Sequence, residues 1–298
     1  MKVYLLTSAK FEELYIEDWI DYHLANGVDK VIINDNNPKD YKYQLKDILK
    51  KYIDNGIVIV ERYYDSDEYK SGIDEYKNFT GKLEDGILGI IYTWLYNKYK
   101  SEFDWAIKID VDEYLVIPET NNDIKKFLSQ EKFNDFKQIA LNWITYGPAY
   151  QEYYSPEPVY ERFKDITFIY HEWFKCIVRT SDDFIWMTHH LAAHEAEDIC
   201  LANGLSVKDG LEKNIVELAH KDWGISSLQT TNGVYALKSL KTAYLAHYRF
   251  LTNEEIAFKD EKFNRRQPGQ KYRNLYNIRL MYLQNNKGKK RKLMNEIS

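Results

Sequence analysis

Three carboxylates stand together in Asp110-Val111-Asp112-Glu113, at the end of the apolar run Trp105-Ala106-Ile107-Lys108-Ile109. A buried strand does not normally close on such a cluster, because each charge needs water, a hydrogen-bond donor or a cation. In an extended chain, side chains two residues apart point to the same side, so Asp110 and Asp112 would project together, about 6–7 Å apart. Two hard oxygen ligands at that spacing suit Mg²⁺ or Mn²⁺ carrying a phosphate. The competing reading is a strand-end turn with solvated acids, since short motifs recur by chance. His247, beside Tyr248, is either a neutral imidazole ligand or a hydrogen-bonded core residue. His190 and His194 are four apart, with His189 before and Glu195 after them. That is not H-E-x-x-H, and no cysteine pair supports it, so zinc is not the expected ion.

The elements that would position these residues follow a repeated order. Val3–Leu6 is a short apolar strand. Ile16, Trp19, Ile20, His23 and Leu24 form the i, i+3, i+4, i+7, i+8 stripe of a helix lying on a sheet, with Gly27 as its C-terminal cap. Lys30–Ile33 is a second strand. Leu45, Ile48, Leu49, Tyr52 and Ile53 mark a second helix, closed by Gly56, and Ile57–Val60 is a third strand. Residues 61–86 read as a long polar loop, Ile87–Tyr99 as a third helix, and the next strand ends at Asp110. Strands alternating with helices imply a parallel sheet, in which every strand ends on one edge and ligands bind there. Thr7–Glu12, Asn34–Asn37, Arg62–Tyr64 and Asp110–Glu113 are therefore expected to converge.

Later elements are less regular. Lys137–Ile144 and Phe174–Arg179 are strands, residues 148–173 are aromatic and broken by proline, and a helix is expected from about Val207. Ala243–Phe250 is a short apolar segment carrying His247, and the chain is helical and highly charged from Thr252 onward. It ends in the basic tail 287–292.

Composition narrows the function. A chain of 298 residues with 44% apolar content has room for one large domain and a small appendage. A net charge of −5 argues against a nucleic-acid binder. Two cysteines, Cys176 and Cys200, make no disulfide framework, and Met1–Ser8 is too short an apolar run for an export signal, so a cytoplasmic protein is expected. No apolar segment approaches the ~20 residues needed to span a bilayer. The 26 tyrosines and 7 tryptophans suit sugar-binding surfaces, although biased base composition also accounts for the tyrosines. Neither G-x-G-x-x-G nor G-x-x-x-x-G-K-[ST] is present, so a metal held by acids is the natural way to neutralise a phosphate.

Lys10-Phe11-Glu12, Glu17-Asp18-Trp19, Tyr22-His23, Gly27-Val28-Asp29 and Asp35-Asn36 resemble, in that order, the opening of glycosyltransferase family 2 and family 92-like proteins. Asp110-Val111-Asp112-Glu113-Tyr114 is similar to their Asp-x-Asp-Glu-aromatic motif. Arg162-Phe163, Lys175 with Arg179, and His189-His190 resemble later landmarks. His247-Tyr248, Thr252, Glu254-Glu255 and Lys259 resemble the closing His-Tyr, Ser-x-Glu-Glu and Lys pattern. Two departures stand out: Phe11 occupies a position usually held by Asn, and no Glu-Asp base motif of the family-2 kind is found.

The resemblance implies an α/β protein of the GT-A type, Rossmann-like, with a mixed, mostly parallel sheet flanked by helices and a helical C-terminal extension. Residues 1–250 would form the transferase domain, with a nucleotide-sugar half at 1–117 and an acceptor half at 118–250. Residues 251–298 would form the extension. It implies hexose transfer from a UDP-sugar, galactose-like as a first guess, with Mn²⁺ or Mg²⁺ and inversion at the anomeric carbon. The acceptor would be a glycan or a lipid-linked glycan, in surface polysaccharide or lipo-oligosaccharide synthesis. Asp112 is then the principal metal ligand, Asp110 contacts metal or ribose, and His247 is the third ligand. Thr7, Glu12, Asp35, Asp110 and Lys175 are assigned to the nucleotide sugar. Asp35 alternatively forms an Asx turn before Pro38. Glu12 alternatively serves the following helix dipole. Lys175, Arg162 and Arg179 bind diphosphate or acceptor, or pair with neighbouring acids. An inverting transfer needs a carboxylate base, for which Glu172, Glu195 and Asp222 are the candidates. The tail 287–292 is either a peripheral contact with anionic lipid at the inner membrane face or a solvated end. Two other classes compete: a non-catalytic carbohydrate-binding protein on this fold, and a phosphatase using Asp-x-Asp, whose motif would instead follow its first strand.

Overall fold

The computed structural model describes residues 1–69, 87–168, 174–181, 198–204, 206, 241–262, 275–276 and 278–284. Four parallel strands build one side of the sheet: β1 (Val3–Ala9), β2 (Lys30–Asp35), β3 (Val58–Glu61) and β4 (Trp105–Lys108). They lie in the order β3-β2-β1-β4. Beyond β4 the sheet continues with β8 (Phe174–Arg179), β6 (Gln138–Gly147), β10 (Tyr244–His247) and β5 (Glu113–Val116). Strand β8 is antiparallel to both β4 and β6, so β6 and its parallel neighbour β10 run in the same direction as β1 to β4. Strands β7 (Asp165–Phe168) and β9 (Ile199–Leu201) pair with β6 off the main path. The mixed, mostly parallel sheet is the expected class.

Alternation along β1 explains the two core layers. Val3, Leu5 and Ala9 join helix α1 (Ile16–Ala25) in one cluster. Tyr4 and Leu6 face the other way, onto α4 (Ile87–Tyr99). Gly27, at φ +95, takes the left-handed step after α1 that a side chain would disfavour. The second predicted helix is interrupted: α2 (Leu45–Ile48) and α3 (Lys50–Asp54) meet at Leu49, although Leu45, Leu49 and Tyr52 keep the buried stripe intact. The aromatic stretch 148–173 contains α6 (Val159–Arg162) as well as β7, after a short α5 (Ile124–Leu128). The charged C-terminal stretch forms α7 (Asn253–Lys262) as expected.

One expectation needs correction. The fourth strand stops at Lys108, two residues before Asp110. The Glu113 N–H donates back to the Asp110 carbonyl at 3.0 Å, closing a turn, and the chain resumes as β5 in a different part of the sheet. The extended geometry that set the separation of Asp110 and Asp112 is therefore absent. The in-out pattern survives, however: Ile109 and Val111 are buried, whereas the Asp110 and Asp112 side chains are 31% and 34% exposed.

Among the described residues, the edge strand β5 is finished by side chains rather than by another strand. Trp19 Nε1 donates to the Glu113 carbonyl at 2.7 Å, and Tyr22 Oη donates to the Leu115 carbonyl at 3.0 Å. His23 Nε2 accepts the Leu115 N–H at 3.2 Å, while Nδ1 lies 2.8 Å from the Trp19 carbonyl. The ring is thereby fixed as the neutral Nδ1–H tautomer, and burial lowers its pKa to about 4. The Trp and Tyr-His motif residues of α1 thus satisfy the backbone of the strand that begins at Glu113.

Candidate active site

The predicted convergence is present. Strands β1, β2, β3 and β4 end on one edge, and β6 and β10 end there too. At this edge Asp112 faces His247, with Nε2 and Oδ2 3.5 Å apart. The Tyr248 N–H donates to the Asp112 carbonyl at 2.8 Å, fixing the turn against the end of β10. The His247 ring lies 4.4 Å, centroid to centroid, from Trp143 on β6. Among the described residues, its buried Nδ1 has no hydrogen-bond partner. Burial opposes charge on both groups, and each overcomes that for the other: the Asp112 carboxyl is held below its ordinary range and the His247 imidazole above it.

Asp110 is held differently. Oδ2 accepts from Lys175 at 2.7 Å, and Oδ1 accepts from Tyr92 Oη, on α4, at 2.9 Å. Lys175, on β8, is fully buried and also lies 3.9 Å from Glu113. Burial disfavours its ammonium, but Asp110 and Glu113 raise its pKa. Glu113 is fully buried, and its Oε2 accepts the Asp110 N–H at 2.8 Å. Burial pushes its carboxyl up to about 8 against the opposing pull of Lys175. Glu113 therefore ties the turn by bonding a loop amide.

Nearby, Glu12 pairs with Lys259 of α7, at 3.2 and 3.3 Å. Burial pushes the Glu12 carboxyl up to about 7, with Lys259 opposing and Asp112 reinforcing the shift. Asp35 is 2% exposed. Its Oδ1 accepts the Asn37 N–H at 2.9 Å, an Asx turn, and its Oδ2 accepts from Arg62 at 3.0 Å. A nucleoside would meet this carboxylate only through its remaining lone pairs. Thr7 is fully buried, and its hydroxyl has no hydrogen-bond partner among the described residues. Arg162 is taken by Glu255, at 2.7 and 3.3 Å, and Arg179 by the Phe133 carbonyl at 2.8 Å. Glu172, Glu195, Asp222, the 189–194 histidines and the tail 287–292 lie outside the described residues.

Several contributors escaped the sequence reading. Tyr92 gave no local sign, because it is one aromatic in an apolar helix. Lys108 did give one: a lysine inside Trp-Ala-Ile-Lys-Ile. It is fully buried 5.2 Å from the Tyr92 ring, and burial lowers its pKa to about 7. Phe11 has φ 60 and donates its N–H to Asn37 Oδ1 at 2.8 Å. This is left-handed backbone, which Asn adopts more readily than Phe, a physical reason for Asn to be usual there.

The fit of a divalent ion follows from these contacts. Among the described residues, no group of three or more His, Cys, Asp or Glu side chains could hold a metal. Asp110 has both oxygens engaged. Asp112 and His247 together offer a hard carboxylate and an imidazole, a donor set acceptable to Mn²⁺ if phosphate and water supply the rest.

A mostly parallel sheet with an acidic turn, an imidazole and cations on its carboxyl edge is the arrangement expected from the sequence, and the chain is a member of a glycosyltransferase family. It belongs to glycosyltransferase family 92, whose family profile matches residues 6–282. Among solved structures it is similar to S. aureus TarS, with 17% identity and a TM-score of 0.34 over 60% of this chain and 28% of that one. It is also similar to mannosyl-3-phosphoglycerate synthase from Rubrobacter xylanophilus, with 11% identity and a TM-score of 0.30 over 52% of this chain and 43% of that one. The chain thus matches less than half the length of either neighbour. Among curated proteins, none matches the sequence. No described helix is long and apolar enough to cross a membrane.

Proposed function

We propose that the protein transfers a hexose from a UDP-sugar, galactose-like as the first donor to test, to a glycan or lipid-linked acceptor, with inversion. Surface polysaccharide or lipo-oligosaccharide synthesis is the fitting context, with the tail 287–292 as a contact for anionic lipid at the inner membrane face. The observation that carries the donor chemistry is Asp112 against His247 at the carboxyl edge of the sheet, 3.5 Å apart. Asp112 and His247 would hold a bound Mn²⁺ or Mg²⁺, which supplies positive charge to the leaving diphosphate. Before an ion binds, the imidazole neighbour holds the Asp112 carboxyl below its ordinary range. Asp110, fixed by Lys175 and Tyr92, holds the turn in register, and a ribose hydroxyl would meet it only through its remaining lone pairs. Trp143 packs against the imidazole. The acceptor hydroxyl is deprotonated by a carboxylate from the set Glu172, Glu195 and Asp222. A panel of UDP-sugars with Mn²⁺ tests the reading through UDP release in the presence of mixed oligosaccharide acceptors. One donor should turn over, and EDTA should stop it. Glycan binding with no turnover of any donor would refute it.

A further inference from the structure

The acidic edge carries three cationic groups near Asp112, and they differ in access. Lys175 is fully buried between Asp110 and Glu113, and His247 is 7% exposed against Asp112. The Lys259 side chain is 21% exposed, beside a Glu12 side chain that is 17% exposed. Asp112 is among the charges that act on both Glu12 and Lys259. An anion entering at this edge therefore meets Lys259 before it meets either buried cation.

The lysine is also held in place. Thr252 and Glu255 form a capping box at the start of α7. The Glu255 N–H donates to Thr252 Oγ1 at 3.3 Å, and the Thr252 N–H donates to Glu255 Oε2 at 3.1 Å. Glu255 is then clamped by Arg162 and by Tyr15 Oη at 3.0 Å. Lys259 follows one turn later on the same face. Its ammonium lies 5.1 Å from the Tyr15 ring centroid, and Lys262 pairs with Glu13 one turn on. The helix that delivers the charge is thereby fixed to the segment that follows β1.

We propose that Lys259 binds the diphosphate of the nucleotide-sugar donor, and that Glu12 occupies its ammonium until the donor arrives. The assignment rests on the transferase reading above. Glu12 suits the role of a displaceable partner. Its side chain is 17% exposed and stands in the field of Asp112, so an arriving phosphate competes with it for the one ammonium. A phosphate oxygen then replaces a carboxylate oxygen on the same ammonium, and no bond other than hydrogen bonds changes.

Calorimetric titration with UDP, GDP and uridine, in constant excess Mn²⁺, tests this on the full chain, on Lys259→Met and on Lys259→Arg. Lys259→Met should weaken UDP binding by about tenfold or more, the worth of one charge-assisted contact, and leave uridine within about twofold. Lys259→Arg should restore most of the UDP affinity. Equal losses for UDP and uridine would make the lysine a structural residue and overturn the assignment, as would unchanged UDP binding. A wild-type protein that binds neither UDP nor GDP would instead overturn the transferase reading of this edge, and the assignment with it.

Discussion

Lys175 Nζ lies 2.7 Å from Asp110 Oδ2, so one carboxylate of the Asp-x-Asp pair already has a buried cation. Tyr92 takes its other oxygen at 2.9 Å. The two aspartates therefore do different work. Asp110 is an anchored residue that fixes the turn, and Asp112, opposite His247, is the carboxylate proposed to meet the donor.

Removing the anchor should cost stability before it costs chemistry. Lys175→Met leaves Asp110 and the fully buried Glu113 without their cation, and breaking a buried pair from one side costs roughly 3–5 kcal/mol. Urea unfolding of the variant measures this. A loss under about 1 kcal/mol would mean that Lys175 does not hold the turn.

The pairing of His23 with β5 predicts a pH dependence of stability. Burial lowers the His23 pKa from 6.5 to about 4. Between those values the unfolded chain binds the proton and the folded chain does not, so stability is present above pH 6.5 and falls as the pH drops toward 4. The loss attributable to this residue is roughly 3 kcal/mol. Thermal unfolding of wild type and His23→Gln across this range should show the gap between them narrowing as the pH falls. A gap independent of pH would contradict the neutral, doubly bonded ring.

The C-terminal extension should behave as part of the fold. Arg279 is 1% exposed and pairs with Asp18 of α1, and it also donates to the Pro156 carbonyl. Arg279→Ala takes the cation from a buried carboxylate, with an expected cost of roughly 3–5 kcal/mol. It should also speed proteolysis beyond α7. Unchanged protection in limited proteolysis would show that this contact does not hold the extension.

The parallel half of the fold was legible because its signals are local. The α1 stripe, Gly27 and the apolar runs of β1, β2 and β3 each report their own structure within a few residues. The turn at Asp110 was not, because what ends β4 is the pairing of β5 with β10, more than a hundred residues away in the chain. The same reason hid the partners of the acids. Asp110, Asp112 and His247 were recognisable as chemistry-bearing residues, but Tyr92 and the buried state of Lys175 depend on helix α4 and strand β8 packing behind the turn. Asp35 reads in sequence either as a nucleoside contact or as an Asx turn, and the structure contains the turn with Arg62 added. The role of Thr252-x-x-Glu255 was visible only once Arg162 and Tyr15 were placed around Glu255.

The most direct test compares nucleotide release by wild type and Asp112→Ala with the donor that turns over, in Mn²⁺, with folding checked by circular dichroism. The account predicts a folded variant whose UDP release falls by about a hundredfold or more, the scale of losing one group that stabilises the leaving charge. A folded Asp112→Ala protein that releases UDP as fast as wild type would contradict it.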